Sequence, residues 1–185
     1  MAMTMKKLNE LLPALIQGAR LRLAPFADKH LNETYVSWLN NTDVVRYSNQ
    51  RFVQHSTESC RQYLDSFKGT SNRFLALEHT SSGELMGTLT MYINLYHETA
   101  DLGILIGAVD HWGKGYGYEA FSLDIDALLT SAKIRKVTAR TMACNAGMIK
   151  VMTKCGMHLE ATRKDQELLN GEPVDILYFA KFSSL

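Results

Sequence analysis

The chain has 185 residues, enough for one well-buried core and short of what two large ones would need. A hydrophobic share of 46% and a charged share of 21% are those of an ordinary globular domain, and a formal net charge of +1 excludes a bulk field that would gather nucleic acid or an anionic membrane. Cys60, Cys144 and Cys155 lie far apart with no Cys-x-x-Cys or Cys/His spacing, which argues against a metal site and fits a reducing, cytoplasmic compartment.

In chain order, Met5 to Ala19 sets two lysines before a leucine-rich run, but Asn9, Glu10, Pro13 and Gln17 interrupt any apolar signal-peptide segment. Residues 1–18 therefore read as a short helical extension ahead of one domain over 19–185, with no stretch apolar enough to span a membrane. Ala19–Pro25 alternates as a first strand. Asp28 is placed to cap a helix running to about Leu39, which Asn40-Asn41-Thr42-Asp43 breaks, and Ser56 to cap a second helix to about Phe67. Strands follow at Arg73–His79 and Glu84–Tyr96, joined at Ser81-Ser82-Gly83, and then at Asp101–Gly107. An amphipathic helix over Phe121–Ala132 buries Phe121, Ile125, Leu128 and Leu129, with Asp124 and Asp126 toward water. Lys133, Arg135 and Lys136 read as a solvated turn before the strand Lys136–Met142. Asn145 caps a helix whose Met148, Val151, Met152 and Cys155 form the buried stripe, and Gly156 ends it. Met157–Arg163 and Val174–Lys181 form a last hairpin, with Asn170-Gly171 as its turn signal.

Between the Asp101–Gly107 strand and the following helix lies Trp112-Gly113-Lys114-Gly115-Tyr116-Gly117-Tyr118. Strand, glycine loop and helix start make an anion cradle, because glycines let the backbone approach and the first N–H groups of a helix lack partners. A tight turn needs one such glycine rather than three. A dinucleotide fold would want Gly-x-Gly-x-x-Gly after the first strand, and a P-loop Gly-x-x-x-x-Gly-Lys-Ser/Thr; neither is present.

The ordered set resembles the GNAT acetyltransferase superfamily, whose acetyl-CoA loop has the form Arg/Gln-x-x-Gly-x-Gly/Ala. Trp112 stands in place of the Arg/Gln, as in the subgroup resembling ribosomal-protein N-terminal acetyltransferases. Arg20-Leu21-Arg22-Leu23-Ala24-Pro25, Ala100 to Ile104, Asn145 to Met157 and Asp175 to Tyr178 are similar to other pieces of that family, so the resemblance runs from about residue 19 to 182. It implies an α/β fold with a mixed, strongly twisted central sheet of about seven strands and helices on both faces. It also implies acetyl-CoA as cofactor, held by Trp112, Gly113, Lys114, Gly115, Tyr116, Gly117 and Tyr118 at the pyrophosphate and by Ile104, Leu105, Ile106 and Asn145 along pantetheine. No metal is implied.

The implied reaction is direct attack of a primary amine on the thioester. A lysine-like amine lies over three units from neutrality at pH 7, about 4–5 kcal/mol, whereas an α-amino group needs only about 1 kcal/mol. Asp101, Glu98 and His97 are the candidate bases, though His97 and Glu98 also read as a solvated turn. The family's thiolate-protonating tyrosine falls here at Met152, a core position. For the acceptor, the resemblance nominates Trp38, Tyr47, Arg51 and Phe52, with Trp38 and Phe52 equally readable as core and Arg51 as surface. The expected acceptor is a small-molecule amine such as an amino sugar; the alternatives are a protein N-terminus and, in another class, a non-catalytic acyl-CoA-binding module. No nucleic-acid or membrane partner is expected, and a strand edge beside the cofactor would suit a homodimer.

Overall fold

In a computed structural model describing residues 3–183, the chain forms one eight-stranded sheet with helices on both faces. The strands are β1 (Ile16–Gln17), β2 (Leu21–Pro25), β3 (Arg73–His79), β4 (Leu85–Asn94), β5 (Thr99–Ile106), β6 (Lys136–Met142), β7 (His158–Leu169) and β8 (Glu172–Phe182). Their order is β1-β2-β3-β4-β5-β6-β8-β7, and every neighbouring pair is antiparallel except β5 with β6. The strand beyond the expected seven is β1. The helices are α1 (Met5–Leu11), α2 (Glu33–Leu39), α3 (Thr57–Asp65), α4 (Tyr116–Asp126) and α5 (Ala146–Lys154).

Pleat alternation assigns the core to two sides of the sheet. On one side Leu75 and Leu77 of β3 and Leu89 and Met91 of β4 pack with Leu8 of α1, Phe121 and Ile125 of α4, and Met152 of α5. On the other, Phe74 and Ala76 of β3 pack with Tyr35, Trp38 and Leu39 of α2 and Cys60 of α3. Segment 1–18 thus holds the expected helix but is no detached extension: Met3, Leu8, Leu12 and Ile16 belong to the first core, and β1 adds an edge strand. The outermost bounds of both domain assignments, 1–2 and 184–185, lie outside the described residues.

Three local expectations change. Asn32, not Asp28, caps α2, its side chain accepting the Tyr35 N–H at 3.0 Å. Residues 28–30 instead make a 3-10 turn in which His30 Nδ1 accepts the Ala27 N–H, leaving Asp28 to pair with Arg61. The helix after the glycine loop starts at Tyr116, five residues earlier than its apolar stripe indicated, and ends in a π-type turn over Ala127–Ser131. Asp124 does not face water: it is fully buried, and neither carboxyl oxygen has a hydrogen-bond partner among the described residues.

The topology opens a cleft at one place. β5 and β6 pair only from Thr99↔Lys136 to Leu102↔Ala139. Beyond that point β5 keeps β4 as far as Ile106↔Gly87, and β6 keeps β8 as far as Met142↔Ile176. Residues 103–106 therefore present a strand edge that β6 no longer covers.

Candidate active site

The glycine loop sits at the mouth of this opening. Gly113 and Gly115 take φ of +73° and +84°, the left-handed region where a side chain is strained. Gly115 is the N-cap of α4, so the N–H groups of Tyr116, Gly117 and Tyr118 begin the helix without acceptors one turn back. Arg20 holds the loop in place. Its guanidinium donates to the Lys114 carbonyl at 2.9 Å and to Glu119 at 2.7 Å, and it lies 4.4 Å from the centre of the Tyr116 ring. Burial of Glu119 would raise its carboxyl pKa, but the backbone and side-chain N–H groups of Arg20 overturn that and lower it. Trp112 turns its ring back onto β5 and donates from Nε1 to the Ile106 carbonyl at 2.8 Å.

Behind the loop, the Gly107 N–H and the Ala108 N–H both donate to the Met86 carbonyl. Trp38 packs so close to Gly107 that a Cβ there would fall 2.0 Å from the indole. Trp38 is thus a buried wedge under the cofactor strand, and the acceptor role expected for it is corrected by its burial.

A cleft of about 960 Å³ runs from the loop between β5 and α5. Of the residues expected to hold the cofactor, Ile104, Leu105, Ile106, Trp112, Gly113, Gly115, Tyr116, Gly117, Tyr118 and Asn145 line it. Lys114 does not; its backbone is held by Arg20 while Arg46, Lys150 and Lys154 supply the cations of the lining. Sequence reading missed Lys150 and Lys154 because it followed the buried stripe of α5. The i, i+4 pair Lys150/Lys154 on the opposite stripe was the available signal. Asn145 caps α5, accepting the Met148 N–H at 3.2 Å and donating to Thr141, while also lining the cleft. Met152 is fully buried.

A coenzyme A moiety fits this arrangement: a polar cradle for pyrophosphate, cations beside it, and an open strand edge for the amides of pantetheine.

A second, smaller cavity of about 290 Å³ lies against the other face of β5, between α2 and α3. It shares Ile104 and Leu105 with the cleft, so the two cavities meet at that pair. Its walls include Tyr35, Tyr63 and Phe74, with Ser48, Ser59, Thr88 and Thr90 supplying hydroxyls. His55, a residue that sequence reading passed over, also lines it, while its Nε2 is buried away from that space and has no hydrogen-bond partner among the described residues.

The remaining nominated residues fall elsewhere. Tyr47 lines the large cleft rather than the small cavity. Arg51 donates to the carbonyls of Ser48 and Leu168 and covers the exposed Phe52 ring at 4.2 Å, tying a 3-10 turn to the β7–β8 hairpin; neither residue lines the cleft or the smaller cavity. His97 and Glu98 occupy the β4–β5 turn, where the His97 carbonyl accepts from Arg135. Five residues of strand separate that turn from Ile104, about 20 Å at the usual rise, and neither residue lines the cleft or the smaller cavity. Asp101 stands between, on the same face as Gly103 and Leu105, hydrogen-bonded to Thr138 at 2.6 Å. Crowding by the sheet pushes its carboxyl pKa upward against the Thr138 bond and the Arg140 charge, although its outer surface is open to solvent.

Residues 20–158 match the family model described as an acetyltransferase (GNAT) domain, about three-quarters of the chain. The chain belongs to the GNAT acetyltransferase family. The protein named "Uncharacterized N-acetyltransferase p20" from Bacillus licheniformis is 28% identical over 116 residues, 62% of this chain and 64% of that protein's length. Among solved structures, spermidine N-acetyltransferase from Vibrio cholerae, in complex with CoA and spermine, superposes with a TM-score of 0.80 at 20% identity, covering 90% of this chain and 98% of that one. Ribosomal-protein-S5-alanine acetyltransferase from Vibrio fischeri does so at 0.78 and 15% identity, covering 93% and 98%. At such identities the structural likeness establishes the fold. With the family, it makes this a GNAT acetyltransferase domain, and among the described residues no helix is long and apolar enough to cross a membrane.

Proposed function

We propose that the protein transfers an acetyl group from acetyl-CoA to the primary amine of a small molecule, with amino sugars as the first class to test. One observation carries this reading: a 290 Å³ cavity backs onto the cofactor cleft through Ile104 and Leu105, at the low end of the size range of small-molecule sites. Aromatic walls and a hydroxyl rim suit a sugar ring, which stacks on one surface and hydrogen-bonds at its edge. No Asp or Glu is in that lining, so it lacks the anions that a polycationic amine would seek.

In this reading Arg20 and the α4 N-terminus orient the cosubstrate, Arg46, Lys150 and Lys154 neutralise its phosphates, and the open edge of β5 directs the acyl end toward Leu105. Acetyl-CoA supplies the activated acyl group. With Met152 in the core, the departing sulfur leaves as thiolate; a thiol of ordinary pKa near 8.5 does so without a dedicated acid.

The test is thiol release from acetyl-CoA against amino sugars and their nucleotide-linked forms, simple alkylamines, spermidine and ribosomal N-terminal peptides. Turnover concentrated on small amines is expected. Turnover on peptides alone would transfer the assignment to a protein N-terminus, and CoA binding with no turnover on any amine would leave a non-catalytic module.

A further inference from the structure

We propose that Arg51 sets which amines the second cavity admits, by latching the turn that walls it to the β7–β8 hairpin. The proposal rests on the small-amine reading above and gives its size selection to a positioning residue that lines neither the cleft nor the cavity.

Residues 41–54 form a loop closed at its base by one side chain: the Asn40 amide accepts the His55 N–H at 2.8 Å and donates to the His55 carbonyl at 2.9 Å. Compact surface loops with their ends held together in this way are often functional. The two halves of the loop face different spaces. Asn41, Asp43, Val44, Arg46 and Tyr47 line the cofactor cleft, whereas Ser48, Gln50 and Val53 line the smaller cavity.

The halves also differ in what holds them. The first is anchored by Val45, which is buried in the core beneath α2 and α3. The second winds into a 3-10 turn over Asn49–Phe52 and has no buried residue; Phe52 and Val53 are 72% and 52% exposed. The N–H groups of Gln50, Arg51 and Val53 bond within the turn, to Ser48 and to the Gln50 carbonyl. Among the described residues, one hydrogen bond runs from residues 49–54 to a part of the chain outside the loop, from Arg51 to the Leu168 carbonyl at 2.8 Å. The same guanidinium donates to the Ser48 carbonyl at 2.8 Å, so its fork ties the start of the turn to β7.

A segment with few buried contacts opens more readily than the elements it joins. The wall made by Ser48, Gln50 and Val53 therefore stands or swings out according to one bond. While the bond holds, the cavity stays near 290 Å³, room for an amine the size of a monosaccharide. When it breaks, the space continues past the turn, and a far larger acceptor such as a nucleotide-linked amino sugar can extend outward. A partly exposed bond from a charged donor shifts the closed-to-open ratio by about 5- to 15-fold.

The experiment compares wild type with Arg51→Met and Arg51→Lys, using acetyl-CoA with straight-chain alkylamines of increasing length, glucosamine and its UDP-linked form. In Arg51→Met the ratio of kcat/KM for the largest to the smallest acceptors should rise by about 5- to 15-fold, carried by KM for the amine. CoA affinity by calorimetry should stay within twofold of wild type. Hydrogen–deuterium exchange at residues 48–54 should quicken while β3 and β4 keep their protection, a local change that general destabilisation would not produce. Arg51→Lys should restore only part of the selection, because an ammonium cannot bridge both carbonyls as the fork does. Small-amine turnover with a size ranking within twofold of wild type in Arg51→Met overturns this inference alone. Turnover on peptides only, or on no amine, defeats the small-amine reading and takes this inference with it.

Discussion

Replacing Arg20 by Ala isolates the part of the cofactor site that neither the glycine loop nor α4 builds by itself. The side chain makes three attachments: to the Lys114 carbonyl, to Glu119 and to the Tyr116 ring. It is about half exposed, with 46% of its side-chain surface accessible, so each attachment is discounted. The carbonyl bond is assigned about 1 kcal/mol, the ion pair about 0.5 kcal/mol and the cation–π contact about 0.5 kcal/mol. About 2 kcal/mol then favours the binding-competent loop. Removing it lowers the competent fraction, and the dissociation constant for CoA should rise by about 10- to 30-fold. Calorimetric titration with CoA reads this directly, and KM for acetyl-CoA should follow while kcat changes by less than about threefold. Arg20→Lys keeps the charge but not the planar fork that reaches the carbonyl and the carboxylate together, so it should recover only part of the affinity. Binding by Arg20→Ala within twofold of wild type would refute the reasoning, since the loop would then be set by its glycines alone.

Three further outcomes follow from separate places in the molecule. The double variant Lys150→Ala/Lys154→Ala should weaken CoA binding by about 3- to 10-fold and flatten its dependence on ionic strength, because exposed charge contacts are small and screened; titrations at 50 and 500 mM salt check it. Glu78 is almost fully buried: desolvation alone would raise its pKa, but hydrogen bonds from Lys29, His30 and Arg22 hold it down to about 2. A depressed carboxyl contributes stability that is present above its unfolded pKa, near 4.3, and lost as pH falls toward 2. Glu78→Gln should therefore cost about 3 kcal/mol in urea unfolding at pH 7 and progressively less below pH 4. Asp124 has the opposite sign, since burial without partners raises its pKa well above the ordinary range and its charged form is penalised as pH rises. Asp124→Leu should stabilise the fold by about 1–3 kcal/mol at pH 7 and by less near pH 4, read from melting curves at the two pH values.

What the sequence disclosed and what it hid divide along a physical line. β3 and β6 occupy Arg73–His79 and Lys136–Met142 as their alternation and flanking turns predict, because a strand within a sheet covered on both faces is written in contiguous residues. Asn145 caps α5, and Asn170-Gly171 turns the last hairpin at φ of 54° and 87°, for the same local reason. The apolar stripe placed the start of α4 too late because Tyr116 to Glu119 carry no apolar periodicity; Gly115 caps that first turn and Glu119 pairs from it with Arg20. Asp124 was misread because a charged residue between apolar ones ordinarily marks the wet face of a helix. β1 was missed since two residues cannot show a period.

The site follows the same division, with consequences for how it works. The donor half, residues 104–118, is nearly continuous in sequence, so its glycines and strand could be read directly. Its support is not continuous: Arg20 reaches Lys114 and Glu119 across 94 and 99 residues, and Trp38 meets Gly107 only because α2 crosses the end of β5. The second cavity, the acceptor site in the proposed reading, gathers His55, Tyr35, Tyr63 and Thr90 from different elements around Gly103. β5 joins the halves because its alternation turns Ile104 toward one core and Leu105 toward the other. Within a fully paired sheet such a strand would only separate two cores. Here β6 departs after Ala139, and in the proposed reading the uncovered edge is where an acyl group held on one side meets an amine held on the other. Substitutions in the acceptor wall should therefore change which amine is used while leaving CoA affinity within twofold, a separation that a single undivided pocket would not permit.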